Sequence, residues 1–117
     1  MLTLAPHLRI YVHTQATDMR KSFDGLSGLV RAVFQADPLD GSLFLFLNRR
    51  RDRLKLLYWD RDGLAIWCKR LELGSFEMIP AADGSAAVEI DATQLAMLLG
   101  GVTLASAQRR QRYARAS

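Results

Sequence analysis

The stretch Leu43-Phe44-Leu45-Phe46-Leu47-Asn48-Arg49-Arg50-Arg51-Asp52-Arg53-Leu54-Lys55-Leu56-Leu57-Tyr58-Trp59 decides the fold. Two apolar runs rich in strand formers flank a charged segment, which is the pattern of a β-hairpin with a basic tip. The first run is apolar at every position, so it predicts a central or well-covered strand. The second alternates: Leu54, Leu56 and Tyr58 point one way, and Arg53, Lys55, Leu57 and Trp59 point the other. Residues 49–55 hold five cations and one acid, a net +4 that equals the net charge of the whole chain.

The rest of the charge is divided just as unevenly. Residues 1–48 are neutral, with four cations and four acids, and residues 56–108 carry three cations and seven acids. Beyond them, Arg109, Arg110, Arg112 and Arg115 form a second basic cluster with no acid. A neutral-to-acidic body bearing two short basic modules implies a localised anion-binding surface. The 117 residues fit one domain, and with half of them apolar the chain can bury a core. No apolar stretch is long enough to span a bilayer, no secretory signal is visible at the start, and Cys68 is the only cysteine. These features predict a soluble bacterial protein of the cytoplasm, associated with the nucleoid if it binds DNA.

Around the hairpin, Arg9-Ile10-Tyr11-Val12-His13 reads as a first strand. Ser22 is a candidate N-cap for a helix to about Phe34, with Phe23, Leu26, Leu29, Val30, Val33 and Phe34 on one stripe. Asp37-Pro38-Leu39-Asp40-Gly41 is a turn. Asp60 or Asp62 can cap a second helix from about Gly63 to Glu72, with Leu64, Trp67, Cys68 and Leu71 on its inner side and Gly74 at its end. The stretch Pro80 to Ser85 is an exposed loop and Ala87-Val88-Glu89-Ile90 a short strand. Asp91 with Gln94 resembles a capping box for a helix through Leu95, Leu98 and Leu99 that stops at Gly100-Gly101. The expected fold is α+β: one compact domain over residues 1–104, an antiparallel sheet around the 43–59 hairpin with about three packed helices, and a mobile basic tail over 105–117.

Catalytic readings are weak. His7 and His13 match no metal-ligand spacing, and a lone cysteine makes no thiolate cluster. Asp52, Asp60 and Asp62 fall at opposite ends of a strand and suit capping better than two-metal chemistry. Gly25-Leu26-Ser27-Gly28 lacks the lysine of a phosphate loop. No metal, cofactor or catalytic residue is therefore expected. Nucleic-acid binding is the sharper reading. Arginines grip phosphate bidentately, and each neutralised phosphate releases counterions. The bland alternative is that the arginines keep an edge hairpin soluble, but three in a row exceed that need. Tyr58 and Trp59 are better placed for core packing than for base stacking.

Taken together, Asp18-Met19-Arg20-Lys21-Ser22-Phe23-Asp24-Gly25-Leu26, then Asp37-Pro38 with Gly41, then the run NRRRDRLKLLYWDRDGLAIWCKRLELGSF resemble one family. It is the small accessory proteins named TnpB of IS-sixty-six-type insertion sequences, encoded by their second open reading frame and distinct from the RNA-guided nuclease of the same name. The similarity covers roughly residues 9–104, with matching positions at Arg20, Lys21, Asp24 and Gly25, at Arg49 to Arg53, Lys55, Tyr58, Trp59 and Asp60, and at Gly63, Trp67 and Lys69 to Glu72. Cys68 stands where an aromatic residue is more usual. The resemblance implies a bacterial mobile-element protein that assists a separate transposase and has no established catalytic site. The expected function is thus a non-enzymatic accessory factor for DNA transposition. Arg49, Arg50, Arg51, Arg53 and Lys55 would contact DNA, with Arg20, Lys21, Lys69 and Arg70 as second-rank contacts. The alternative is an adaptor that docks the transposase or another element-encoded protein.

Overall fold

The structure is a computed structural model describing residues 8–77, 79–101 and 112. Five strands form one sheet: β1 (Ile10–His13), β2 (Leu43–Leu47), β3 (Arg53–Asp60), β4 (Gly63–Arg70) and β5 (Ala87–Ile90), in the order β4-β3-β2-β1-β5. Helix α1 (Phe23–Leu29) runs into a π-helical turn over Val30–Phe34, and α2 (Ala92–Gly100) follows β5.

The sheet is mixed rather than antiparallel. β1 and β2 pair in parallel, Ile10 with Leu43 and Val12 with Leu45, while the other three pairings are antiparallel. The chain between β1 and β2 carries α1, and a strand–helix–strand crossover returns the chain in the same direction. That order was already visible in the sequence, so the parallel pair could have been anticipated.

β2 lies at the centre, and all five of its residues are buried. Its alternation sends Leu43, Leu45 and Leu47 to one face and Phe44 and Phe46 to the other. On the leucine face they meet Leu54 and Leu56 of β3, Leu71 and Phe76 of the segment after β4, and Leu95 and Leu98 of α2. On the phenylalanine face they meet Leu57 and the buried stripe of α1 and its π turn, Leu26 and Val30. Phe34 packs there against Tyr11, Phe44 and Phe46, at ring-centroid distances of 5.9, 5.4 and 6.0 Å. The β3 alternation expected from sequence is therefore observed: Leu54, Leu56 and Tyr58 serve one core and Leu57 the other. Phe23, placed on the helix stripe by its spacing, is instead 44% exposed at the first position of α1.

The largest correction concerns Gly63–Glu72, expected as a helix. It is strand β4, paired with β3 over eight consecutive residues from Asp60↔Gly63 to Arg53↔Arg70. The spacing of Leu64, Trp67, Cys68 and Leu71 fits a helical stripe, but a short apolar run with isoleucine and tryptophan fits a strand equally well. The adjacent β3 decides, because a strand beside it satisfies a backbone edge that a helix would leave open. Thus two helical regions, α1 with its π turn and α2, replace the expected three among the described residues. Cys68, expected on an inner helix face, is an exposed free thiol on β4.

Local signals fared better. The capping box at α2 is complete: the Gln94 N–H donates to Asp91 Oδ1 at 2.7 Å, and the Asp91 N–H donates to Gln94 Oε1 at 2.9 Å. Gly101 ends the helix at φ 82°. Ser22 is the N-cap residue of α1, yet its hydroxyl makes no capping bond. His13 is buried, its Nδ1 2.8 Å from the Ala86 carbonyl, which suits an N–H donor there. His7 and all of the expected basic tail except Arg112 lie outside the described residues. Arg112 itself is docked on the body. It donates to the Ser75 carbonyl at 3.0 Å and stacks 5.4 Å above the Phe76 ring.

Candidate nucleic-acid interface

The hairpin tip is a built structure. Asn48 follows β2 and reaches across the turn, its Oδ1 accepting from the N–H groups of Asp52 at 3.1 Å and Arg53 at 3.0 Å. Its Nδ2 donates to Asp52 Oδ1 at 2.7 Å. Asparagine side chains commonly brace turns in this way. The Arg51 N–H donates to the Asn48 carbonyl at 3.1 Å, with Arg51 at φ 58°. The chain beyond β4 then clamps the turn from the side: the Leu71 N–H donates to the Asp52 carbonyl at 2.7 Å and the Phe76 N–H to that of Arg51 at 2.6 Å. Sequence reasoning missed this scaffold. Only Asn48, just before the arginine run, hinted at it.

Cations distant in sequence are gathered around that tip. β4 brings Arg70 opposite Arg53 and Lys69 opposite Leu54. The 17–21 segment is tied to the same end of the sheet, with the Thr17 N–H donating to the Leu47 carbonyl at 2.8 Å. Lys55 completes the tie, because its Nζ donates to the carbonyls of Met19 and Lys21, each at 2.8 Å. Lys55, which the sequence placed among the leading phosphate contacts, thus also ties the 17–21 segment to the sheet.

Two adjoining clefts open here. One, of about 480 Å³, is lined by Arg53, Lys55, Lys69 and Arg70 over Met19, Leu54 and Cys68, with Glu72 at its side. The other, of about 510 Å³, lies between the 17–20 loop and Asn48, Arg49, Arg50, Asp52 and Arg53. Arg53 and Met19 border both.

The acids here are already engaged. Asp18 forms a fork with Arg20, at 2.7 Å to Nη2 and 3.0 Å to Nε, and accepts from the Arg20 N–H at 2.9 Å. The hydrogen bonds from the Arg20 side chain and N–H hold the Asp18 carboxyl down to about 2, and Arg20 is raised in turn. Glu72 pairs with Arg70 at 3.0 Å, and Asp52 is held by Asn48. Among the described residues, no ion pair neutralises Arg49, Arg50, Arg51, Arg53 or Lys69. Arg49, Arg50, Arg53 and Lys69 are exposed and Arg51 is half-buried. Arg53 and Arg70 also face each other directly across a strand pair, where like charges repel. Arg20 and Arg70 are placed in the cluster but already carry partners, and Lys21 lies exposed at its rim.

Asp52 lies just before the eight-residue β3 and Asp60 at its far end, so they do not converge. No group of three or more metal-ligating side chains occurs among the described residues. No described helix is long and apolar enough to cross a membrane.

The molecule is thus an α+β domain with a firmly braced turn at a cationic end, where Arg49, Arg50, Arg53 and Lys69 are exposed and outside any ion pair among the described residues. The chain belongs to the family described as IS66 Orf2 like protein, which it matches over residues 8–109. This is a family of transposition-associated accessory proteins encoded by insertion sequences, not known as enzymes. Two relatives from Sinorhizobium fredii are uncharacterised proteins. The protein y4jC is 39% identical over 95 residues, covering 81% of this chain and 80% of that one. The protein y4hO is 38% identical over 102 residues, 87% of each. No solved structure gives a significant match.

Proposed function

We propose that the protein is a non-enzymatic accessory factor that binds DNA during transposition, gripping phosphates at the cationic end of its sheet. The observation that carries this reading is the set of exposed, unneutralised cations Arg49, Arg50, Arg53 and Lys69 around two joined clefts whose acids are already paired. Fixing like charges side by side costs free energy in the free protein, and a polyanion recovers it. The braced turn holds the arginines in place before binding, which lowers the ordering cost of association. Arg51, half-buried, contributes mainly through its backbone, while Arg20 and Arg70 bind phosphate only by exchanging Asp18 and Glu72 for it.

Fluorescence anisotropy on element-end and random duplexes across a salt series tests this. Log affinity falls linearly with log salt, and Arg49→Ala/Arg50→Ala/Arg53→Ala makes that slope shallower by roughly 3. Absence of duplex binding by the wild-type protein at low salt sinks the proposal. Recovery of the transposase with the wild type from nuclease-treated lysate, lost in the same variant, would then favour the adaptor role.

A further inference from the structure

β4 is an edge strand: among the described residues it has a hydrogen-bonded neighbour only in β3. It is long and regular, with eight consecutive pairs and no bulge. Residues 63–68 carry no charge and no proline, and Leu64, Ala65, Ile66 and Trp67 are only half-buried. Soluble proteins blunt such edges with short strands, charges, prolines or bulges, because an open edge recruits another strand. Here the charges sit only at the strand's two ends. The turn before β4 holds Asp60 and Asp62, while Lys69 and Arg70 close the strand.

The direction of the open groups follows from the ladder. The Leu71 N–H donates to Asp52 of the β3 side, and the Asn48 N–H donates to the Arg53 carbonyl on the β2 side. Antiparallel alternation then turns the N–H and C=O groups of Lys69, Trp67, Ala65 and Gly63 toward β3. Those of Leu64, Ile66, Cys68 and Arg70 face the open edge.

We propose that this edge binds a second copy of the chain, β4 against β4 in antiparallel register about a two-fold axis. With Ile66 across from Ile66 of the second copy, Leu64 meets Cys68 and the open backbone groups form about six new hydrogen bonds. The same register sets Arg70 opposite Asp62 of the second copy and Lys69 opposite Gly63, beside that acidic turn. A shift by two residues takes Arg70 off Asp62, setting it opposite Leu64 in one direction and level with Asp60, which lies on β3 rather than on the edge strand, in the other. An in-register parallel pairing sets like charges together. The result is one continuous ten-stranded sheet with a cationic tip toward each end. This inference does not depend on DNA binding.

Sedimentation equilibrium without DNA reads it directly. The wild type, of 13.1 kDa, approaches twice that mass as concentration rises into the tens of micromolar. Cys68→Pro removes an outward N–H without touching the β3 ladder, and it shifts the protein to monomer with unchanged circular dichroism. Asp62→Arg and Arg70→Asp, each alone, weaken the dimer by about tenfold, since each change reverses two symmetry-related pairs. The two together restore it. This charge-swap rescue decides the matter even if the proline variant fails to fold. A wild type that stays monomeric, or a dimer indifferent to both charge reversals, would overturn the proposal.

Discussion

β3 is closed at each end by a turn, and the two turns are built in opposite ways. The turn before it, 48–52, carries three arginines, is braced by the Asn48 side chain and is clamped by the Leu71 and Phe76 N–H groups. The turn after it, Arg61-Asp62, is tight and acidic-flanked, with the Asp62 N–H reaching the Asp60 carbonyl at 2.6 Å. Each holds an arginine at φ 58°. At the cationic turn this left-handed residue is over-determined by surrounding hydrogen bonds, whereas the acidic turn rests on its short Asp62–Asp60 contact and the Asp60↔Gly63 strand pair. On the proposed function, the arginines that would grip a polyanion are carried on a scaffold, while the acidic turn is closed with fewer bonds.

Removing what clamps the cationic turn breaks this contrast most strongly. Phe76 is fully buried where it anchors the clamp, so Phe76→Ala should cost about 3–5 kcal/mol in urea denaturation. Amide exchange at 49–53 should quicken more than at 60–63, and equal quickening at both turns would refute the asymmetry. Asn48→Ala acts more locally. Loss of its three side-chain hydrogen bonds should cost about 1–3 kcal/mol and loosen residues 49–53 while leaving the acidic turn unchanged. Smallest is Arg61→Gly, which relieves the left-handed backbone and should stabilise the protein by up to about 1 kcal/mol in the same denaturation experiment. A loss of stability there would mean that the acidic turn also leans on its arginine side chain.

Much of this was legible in sequence where the signal is local. The 43–59 hairpin, the inside-outside alternation of β3, the Asp91–Gln94 capping box and the 37–41 turn all depend on residues a few positions apart. In the last of these, the Leu39 N–H donates to Asp37 Oδ1 at 2.9 Å. The misreading of β4 arose because its apolar residues satisfy two periodicities at once. The candidate site was legible as a list of cations but not as a set of roles. For Lys55, expected among the phosphate contacts, only the carbonyls of Met19 and Lys21, more than thirty residues upstream, show that its ammonium also ties two segments together.

By itself, then, the amino-acid order determined the central hairpin, the α2 capping box, the 37–41 turn and the concentration of positive charge at one segment, since these follow from side-chain periodicity and short-range hydrogen bonding. Tertiary structure alone decided that Gly63–Arg70 is a strand and that Arg20, Arg53, Lys69 and Arg70 share one end of the sheet. It also decided which of those charges already have partners. Such outcomes rest on ladders and ion pairs between segments far apart in the chain, and their free energy exists only once the neighbouring strand is in place.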